Sequence, residues 1–268
     1  GARDTGWLQI YAENNQEVYD NMVQAYRISE HKDVLLPIMI CQDGFITSHA
    51  VENIELLEDD VVKNFVGEYE PENYLLNAEQ PMAVGPYAVS NYYMETKMGQ
   101  RTAMHNAKQV ILDVAKEFEA ISGRHYGFFE EYRLEDAEYA ILIIGSAAGT
   151  CKDAVDALRA QGKKVGLLKL RVFRPFPAEE IAAALAHCKS LAIMDRSDSF
   201  NGNGGPLGAE VSQALYNARS SVLAVNYIYG LGGRDIRVED FEDIYSRLET
   251  IAATGQITDQ FDYIGLRK

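Results

Sequence analysis

The chain has 268 residues, 47% of them hydrophobic and 24% charged, with a formal charge of −15. That length allows one large or two modest domains with a real core. The acidity excludes sequence-independent nucleic-acid binding, which needs clustered Lys and Arg against phosphate.

The opening Gly1-Ala2-Arg3-Asp4-Thr5-Gly6-Trp7 reads like the middle of a domain with no strand to lead into it, so the chain is expected to begin inside a larger fold. From Asn15 to Glu30, Val18, Met22, Ala25 and Tyr26 fall on one helix face. Leu35 to Cys41 reads as a buried strand, which Gln42-Asp43-Gly44-Phe45 leaves in a turn. A short helix is expected within Asp60–Tyr69. Glu70 to Gln100 has no sustained period and holds Pro71, Pro81 and Pro86, but also Tyr74, Tyr87, Tyr92 and Tyr93. A disordered linker seldom carries so many aromatics, so this stretch is expected to be an ordered arm wrapped over a neighbour.

Ala107, Val110, Ile111, Val114, Phe118 and Ile121 form the clearest amphipathic helix, ended by Gly123. Strands are then expected at Ala140–Ile144, Val165–Leu170, Ser190–Met194 and Val222–Ile228. Helices are expected between them and after the last, around Phe241, Ile244, Tyr245, Leu248 and Ile251. This alternation predicts an α/β domain with a doubly wound, parallel sheet. Pro175 and Pro177 predict that the strand ending at Leu170 runs into a loop. Arg171 and Arg174 would then lie on the side where such sheets carry ligands.

The glycine-rich segments Gly145–Thr150 and Gly202–Gly205 have neither the dinucleotide spacing nor the Walker lysine, so both are expected to be tight or flexible turns. Gly230–Asp235 has no Ser or Cys nucleophile beside it and is expected to be structural. His31, His49, His105, His125 and His187 do not pair at metal spacing, and the expected role of His49 is a local hydrogen bond. Cys41, Cys151 and Cys188 form no Cys-x-x-Cys, which argues against disulfides and cysteine-ligated clusters and fits a reducing cytoplasm. No apolar run reaches spanning length, so no membrane partner is expected.

Four stretches together are specific: Ala2-Arg3-Asp4-Thr5-Gly6; Asp43-Gly44-Phe45-x-Thr47-Ser48-His49; Arg171-x-Phe173-Arg174-Pro175-Phe176-Pro177; and Gly230-Leu231-Gly232-Gly233-Arg234-Asp235. In this order they resemble the α subunit of pyruvate:ferredoxin oxidoreductase and related 2-oxoacid:ferredoxin oxidoreductases. The resemblance implies the end of a thiamine-diphosphate-binding pyrimidine domain at residues 1–69. An ordered connecting arm follows at 70–103, then a transketolase C-terminal-like three-layer αβα domain at 104–268.

The resemblance also implies thiamine diphosphate and Mg²⁺ shared with a partner chain, and iron–sulfur clusters and CoA held in the complex, not by cysteines of this chain. Partners would be the thiamine-diphosphate-binding β, the γ and the ferredoxin-like δ subunits or domains, with ferredoxin reached indirectly. No residue here takes a catalytic or metal-ligating role; Arg3, Asp43 and His49 are expected near cofactor or substrate. The implied activity is oxidative decarboxylation of a 2-oxoacid, pyruvate by default, to acyl-CoA and CO₂. The alternatives are a non-catalytic assembly module of that complex, or a relative acting on another 2-oxoacid or oxalate.

Overall fold

The computed structural model describes residues 1–85, 87–200 and 202–267. Pro86 of the predicted arm and Lys268, the last residue of the predicted final domain, lie outside them. Among the described residues the chain runs β1 (Leu8–Tyr11), α1 (Asn15–Ser29), β2 (Ile38–Cys41), the single turn α2 (Ile46–His49), α3 (Asp59–Val66) and α4 (Tyr93–Ser122). It continues with β3 (Phe129–Tyr132), β4 (Tyr139–Ile143), α5 (Ala147–Ala160), β5 (Val165–Leu170), β6 (Val172–Arg174) and α6 (Ala178–Ala184). Last come β7 (Ser190–Asp195), α7 (Pro206–Asn217), β8 (Leu223–Ile228), α8 (Val238–Thr254) and β9 (Phe261–Tyr263).

Two sheets result. The larger has the order β3-β5-β4-β7-β8-β9, parallel except for β3. Strands β4, β5 and β7 are apolar on both faces because helices cover both. Ile141, Ile143, Leu167 and Met194 pack with α5 and α8 on one side, and Leu142, Leu168, Leu191 and Ile193 with α6 and α7 on the other. This is the expected three-layer αβα unit.

The smaller sheet, β2-β1-β6, carries α1, α3 and α4 through Leu8, Ile10, Ile28, Phe65, Ile111 and Phe118. The side chain of Asn14 caps α1 by accepting from Glu17 N at 2.9 Å, a bond worth about 1 kcal/mol.

Three features depart from the sequence reading. Strand β1 follows the opening stretch where no strand was expected, because its four residues are too few for an alternation to stand out. The chain does not enter a loop at Arg171. It resumes as β6, antiparallel to β1, with Tyr11 N donating to Arg171 O at 2.8 Å, and this crossing joins the two sheets. Pro175 marks the strand's end only after Arg174. The amphipathic helix begins at Tyr93, well before its first fully buried residue, Ala107. Its leading turns are exposed on all sides and so carry no apolar period. Helix α4 thus runs straight through the expected division at residue 104, and its buried face packs with β1 and α1.

Candidate functional site

Parallel α/β sheets bind ligands beyond the carboxyl ends of their strands, where neighbouring strands send their helices to opposite faces. Here that point lies between β4, followed by α5, and β7, followed by α7. The ends of β1 and β2 meet it from the smaller sheet. A cleft of about 240 Å³ opens there, lined by Tyr11, Asp43, Phe173, Asp195, Arg196 and Leu207 among others. The Tyr11 and Phe173 rings meet edge to face at 6.1 Å. Burial, with Cys41 beside it, pushes the Tyr11 phenol up to about 12.

Asp43 spans the cleft. One carboxylate oxygen accepts from Arg196 Nη1 at 2.7 Å, the other from the backbone N–H of Ser146 at 2.7 Å. Ser146 precedes α5, so the carboxylate lies at the positive end of that helix. The close approach requires glycine at 145: its φ is +83°, and a Cβ there would lie 3.2 Å from Asp43 Oδ2.

Asp195 acts likewise on α7. It accepts from Leu207 N at 3.0 Å, Gly208 N at 2.7 Å and Asn226 Nδ2 at 2.9 Å, while Asn226 Oδ1 accepts from Gly205 N at 2.7 Å. Burial raises the Asp195 pKa, against the pull of these donors. A Cβ at Gly205 would meet Asp195 Cγ at 2.2 Å. Both glycine-rich segments are therefore turns whose helix N-termini are held by the chain's own carboxylates. Their backbone donors do not fit the diphosphate of a cofactor.

The other two expected site residues lie elsewhere. Arg3 lies on the loop before β1, where Gln9 Nε2 donates to Ala2 O at 2.8 Å and Asp4 comes within 3.9 Å of Arg174, and it does not line the cleft. Arg3 forms a bidentate pair with its neighbour Asp4 at 3.1 Å, and that hydrogen bond raises its pKa against the effect of burial. His49 makes the local contact expected of it, Nδ1 to Ser48 Oγ at 2.8 Å, and stacks on Phe45 at 5.1 Å. Phe45 has φ +83°, a strained backbone for a bulky side chain, and its N–H donates to Ser48 Oγ at 2.8 Å.

Arg171 is a structural pin. It is fully buried, donates to Asn21 Oδ1 at 2.8 Å and Gly127 O at 3.1 Å, and lies 4.9 Å from the Tyr126 ring; burial lowers its pKa to about 10. Arg174 pairs with Glu210 at 2.5 Å and stacks on Phe173 at 4.3 Å.

Below the cleft, Glu13, Glu17 and Glu130 bring carboxylate oxygens within 4.8 Å of one another. The Lys169 ammonium holds their centre, 2.9 Å from Glu13, 2.8 Å from Glu130 and in contact with Glu17, and Lys152 reaches Glu13 at 2.9 Å and Glu130 at 3.1 Å. Burial alone would lower the Lys169 pKa; the carboxylates of Glu17, Glu13 and Glu130 overcome it and hold it above the ordinary value.

Sequence reading singled out none of Tyr11, Ser146, Asp195, Arg196 and Asn226. The available signal was a polar pair closing the apolar run Leu191–Met194.

Comparison with known proteins bears on this arrangement. Residues 1–116 match the family described as pyruvate flavodoxin/ferredoxin oxidoreductase, thiamine diphosphate-binding, and residues 137–241 match pyruvate:ferredoxin oxidoreductase core domain II. Pyruvate synthase subunit PorA of Thermotoga maritima is 46% identical over 99% of this chain and 67% of its own length. PorA of Methanocaldococcus jannaschii is 43% identical over 92% of this chain and 63% of its own length. Ketoisovalerate oxidoreductase subunit VorA of Pyrococcus horikoshii is 40% identical over 99% and 67%. The chain thus spans about two thirds of the length of these relatives.

A 2-oxoglutarate:ferredoxin oxidoreductase from Magnetococcus marinus, solved with 2-oxoglutarate, coenzyme A and succinyl-CoA, shares the fold at TM-score 0.55 and 15% identity. The likeness covers 91% of this chain and 42% of that one. The two matched regions and the high identity along nearly the whole chain place this protein in the pyruvate:ferredoxin oxidoreductase family, as a relative of its PorA subunits.

Proposed function

We propose that the chain works as part of a thiamine-diphosphate-dependent 2-oxoacid:ferredoxin oxidoreductase, with pyruvate as the substrate. The reaction joins a 2-oxoacid and CoA, releases CO₂, forms acyl-CoA and passes two electrons to ferredoxin. When bound, thiamine diphosphate supplies the carbanion chemistry that cleaves the bond to the carboxylate.

The observation that carries this reading is identity of 40% or more to PorA and VorA subunits along 99% of the chain. The residue groups fit a divided site. The donors at α5 and α7 are held by Asp43 and Asp195, so the diphosphate and Mg²⁺ belong on a β chain. Iron–sulfur clusters belong on γ and δ chains: Cys151 and Cys188 are buried, with thiols pushed up to about 12 and about 11 by that burial, and burial raises the half-buried Cys41 thiol as well. Such thiols are poor cluster ligands.

Residues 1–69 complete the pyrimidine domain, 70–103 form the arm, whose end is already the start of α4, and the remainder is scaffold. Asp43 fixes the turn that carries Phe45 and His49 toward the cofactor side, and Arg3 adds positive charge near the shared active site. The assembly works in the cytoplasm.

A second reading, an assembly module without chemistry of its own, draws on the helix donors beside this cleft being held by Asp43 and Asp195. The two are compatible if catalysis resides in the complex and this domain holds it together.

The test is to assay the assembled enzyme with thiamine diphosphate and CoA, offering pyruvate, 2-oxoglutarate, a branched-chain 2-oxoacid and oxalate in turn, and following ferredoxin reduction. Fastest turnover with pyruvate supports the proposal. Fastest turnover with another acid keeps the reaction class and replaces the substrate, and no turnover with any overturns it.

A further inference from the structure

Residues 67–99 are the part of the fold that packing does not explain. Apart from Pro71, Asn77 and Ala88, every described residue in this stretch is exposed. The stretch is nevertheless rich in large apolar side chains: Leu75, Leu76, Val84, Tyr87, Met94 and Met98 all stand in solvent, Leu76 at 87% and Tyr87 at 91% exposure. It keeps local order, since the Asn77 side chain accepts from Glu79 N at 3.1 Å and Gln80 N at 3.2 Å, and Tyr92 N donates to Val89 O at 2.9 Å.

The leading turns of α4 continue the feature. Helix α4 has 30 residues, roughly 45 Å of helix. Its first residues, Tyr93–Gly99, are all exposed, and the helix reaches the core only farther on, where Ala103 and Met104 pack against it. So many large apolar side chains left in solvent along one segment mark a place where another protein sits. Tyr and Met are also the residue types that interface cores favour.

Charge selects among the occupants. The stretch carries Glu68, Glu70, Glu72, Glu79 and Glu95 against the single Lys97, on a chain of formal charge −15. A second copy would bring the same acidic arm and the same net charge to the contact, and like charges at an interface oppose association. A chain with a basic rim round an apolar groove meets both features.

We propose that residues 67–99 are a docking arm for a different subunit of the oxidoreductase, one that presents an apolar groove rimmed by Lys and Arg. The inference rests on the multi-subunit reading above and assigns that assembly a specific contact.

The experiment uses the complete complex and the dissociated chain. Hydrogen exchange of residues 67–99 is compared between the two, and residue-specific cross-links from this stretch are mapped in the complex. The expected result is exchange about tenfold or more slower in the complex, with cross-links to a different subunit. Replacing Leu76 and Tyr87 together by Ser, both already exposed in this chain, should leave its folding intact and weaken its binding to that subunit by roughly tenfold or more. Raised salt should weaken the contact as well.

Several results would overturn the assignment. Equal protection in the dissociated chain means that this chain covers its own arm, and cross-links to a second copy mean a homotypic contact. Free exchange within an intact, active complex means that the arm is unoccupied. A chain that forms no complex with any other subunit overturns the arm together with the multi-subunit reading, and so is told apart from the other outcomes.

Discussion

Asp43 and Arg196 are 153 residues apart in the chain and 2.7 Å apart in space, and their pair lines the cleft where the two sheets meet. The same carboxylate accepts from Ser146 N at 2.7 Å, so one side chain ties the turn after β2 to the ends of both β4 and β7. In an α/β sheet that position is where a ligand anion would bind. Here the anion is part of the protein.

Asp43→Ala should therefore lower stability by about 1–3 kcal/mol, the scale of hydrogen bonds to a charged group. Arg196→Gln should cost less, because the Ser146 bond survives. A double-mutant cycle on urea unfolding of the complex checks the pair: a coupling energy indistinguishable from zero would show that Asp43 and Arg196 act independently.

Lys169 holds three carboxylates together and is itself buried. Lys169→Met should destabilise by about 3–5 kcal/mol, since it leaves buried negative charge unpaired. Adding Glu17→Met should recover part of the loss. Equal stability of wild type and Lys169→Met in denaturant titrations would contradict this account.

The same network sets a pH range. The raised Lys169 pKa contributes stability that is fully present below the unfolded value of about 10.4 and is lost as pH rises through the higher folded value. Burial would raise the Glu130 pKa, but Lys169 and Lys152 outweigh it and lower it. Its contribution is present above about 4.3 and is lost as pH falls through the lower folded value. The urea midpoint should thus be level between about pH 5 and 9 as far as this network is concerned. Lys169→Met should flatten the alkaline decline.

Two glycines give opposite outcomes. Gly205→Ala would place a Cβ 2.2 Å from Asp195 Cγ and should destabilise by about 1–3 kcal/mol or more. Gly149 lies inside α5, and its Cβ would meet only Glu13 Oε1 at an ordinary 3.5 Å. Gly149→Ala should stabilise by about 0.5–1 kcal/mol. Thermal unfolding of both variants distinguishes the two.

Arg3 separates stability from kinetics. Its bond to Asp4 is at the surface, so Arg3→Ala should change stability by no more than about 0.5 kcal/mol. In the whole complex, a role near the shared active site predicts kcat/KM lower by the equivalent of about 1–3 kcal/mol. Unchanged steady-state kinetics would leave Arg3 as a surface pair only.

What the sequence determined by itself was whatever a local period or a local breaker encodes. The apolar runs at Leu35–Cys41, Ala140–Ile144, Val165–Leu170 and Ser190–Met194 announced strands because burial leaves few polar positions, with Lys169 and Ser190 the buried exceptions. The face from Ala107 to Phe118 announced a helix because burial of one side only repeats apolar residues at every third or fourth position. The glycine-rich segments were legible as turns because the flanking residues of a nucleotide site were missing.

Tertiary structure decided the rest. Strands β1 and β6 have four and three residues and exist because they pair with each other across more than 150 positions of sequence. The first turns of α4, Tyr93–Gly99, show no period because the described residues leave them exposed. Asp43 reads as an ordinary turn residue until Arg196 and the start of α5 arrive beside it. A contact between residues so far apart leaves no spacing to read, since its geometry is set by how the sheets meet and not by any repeat along the chain.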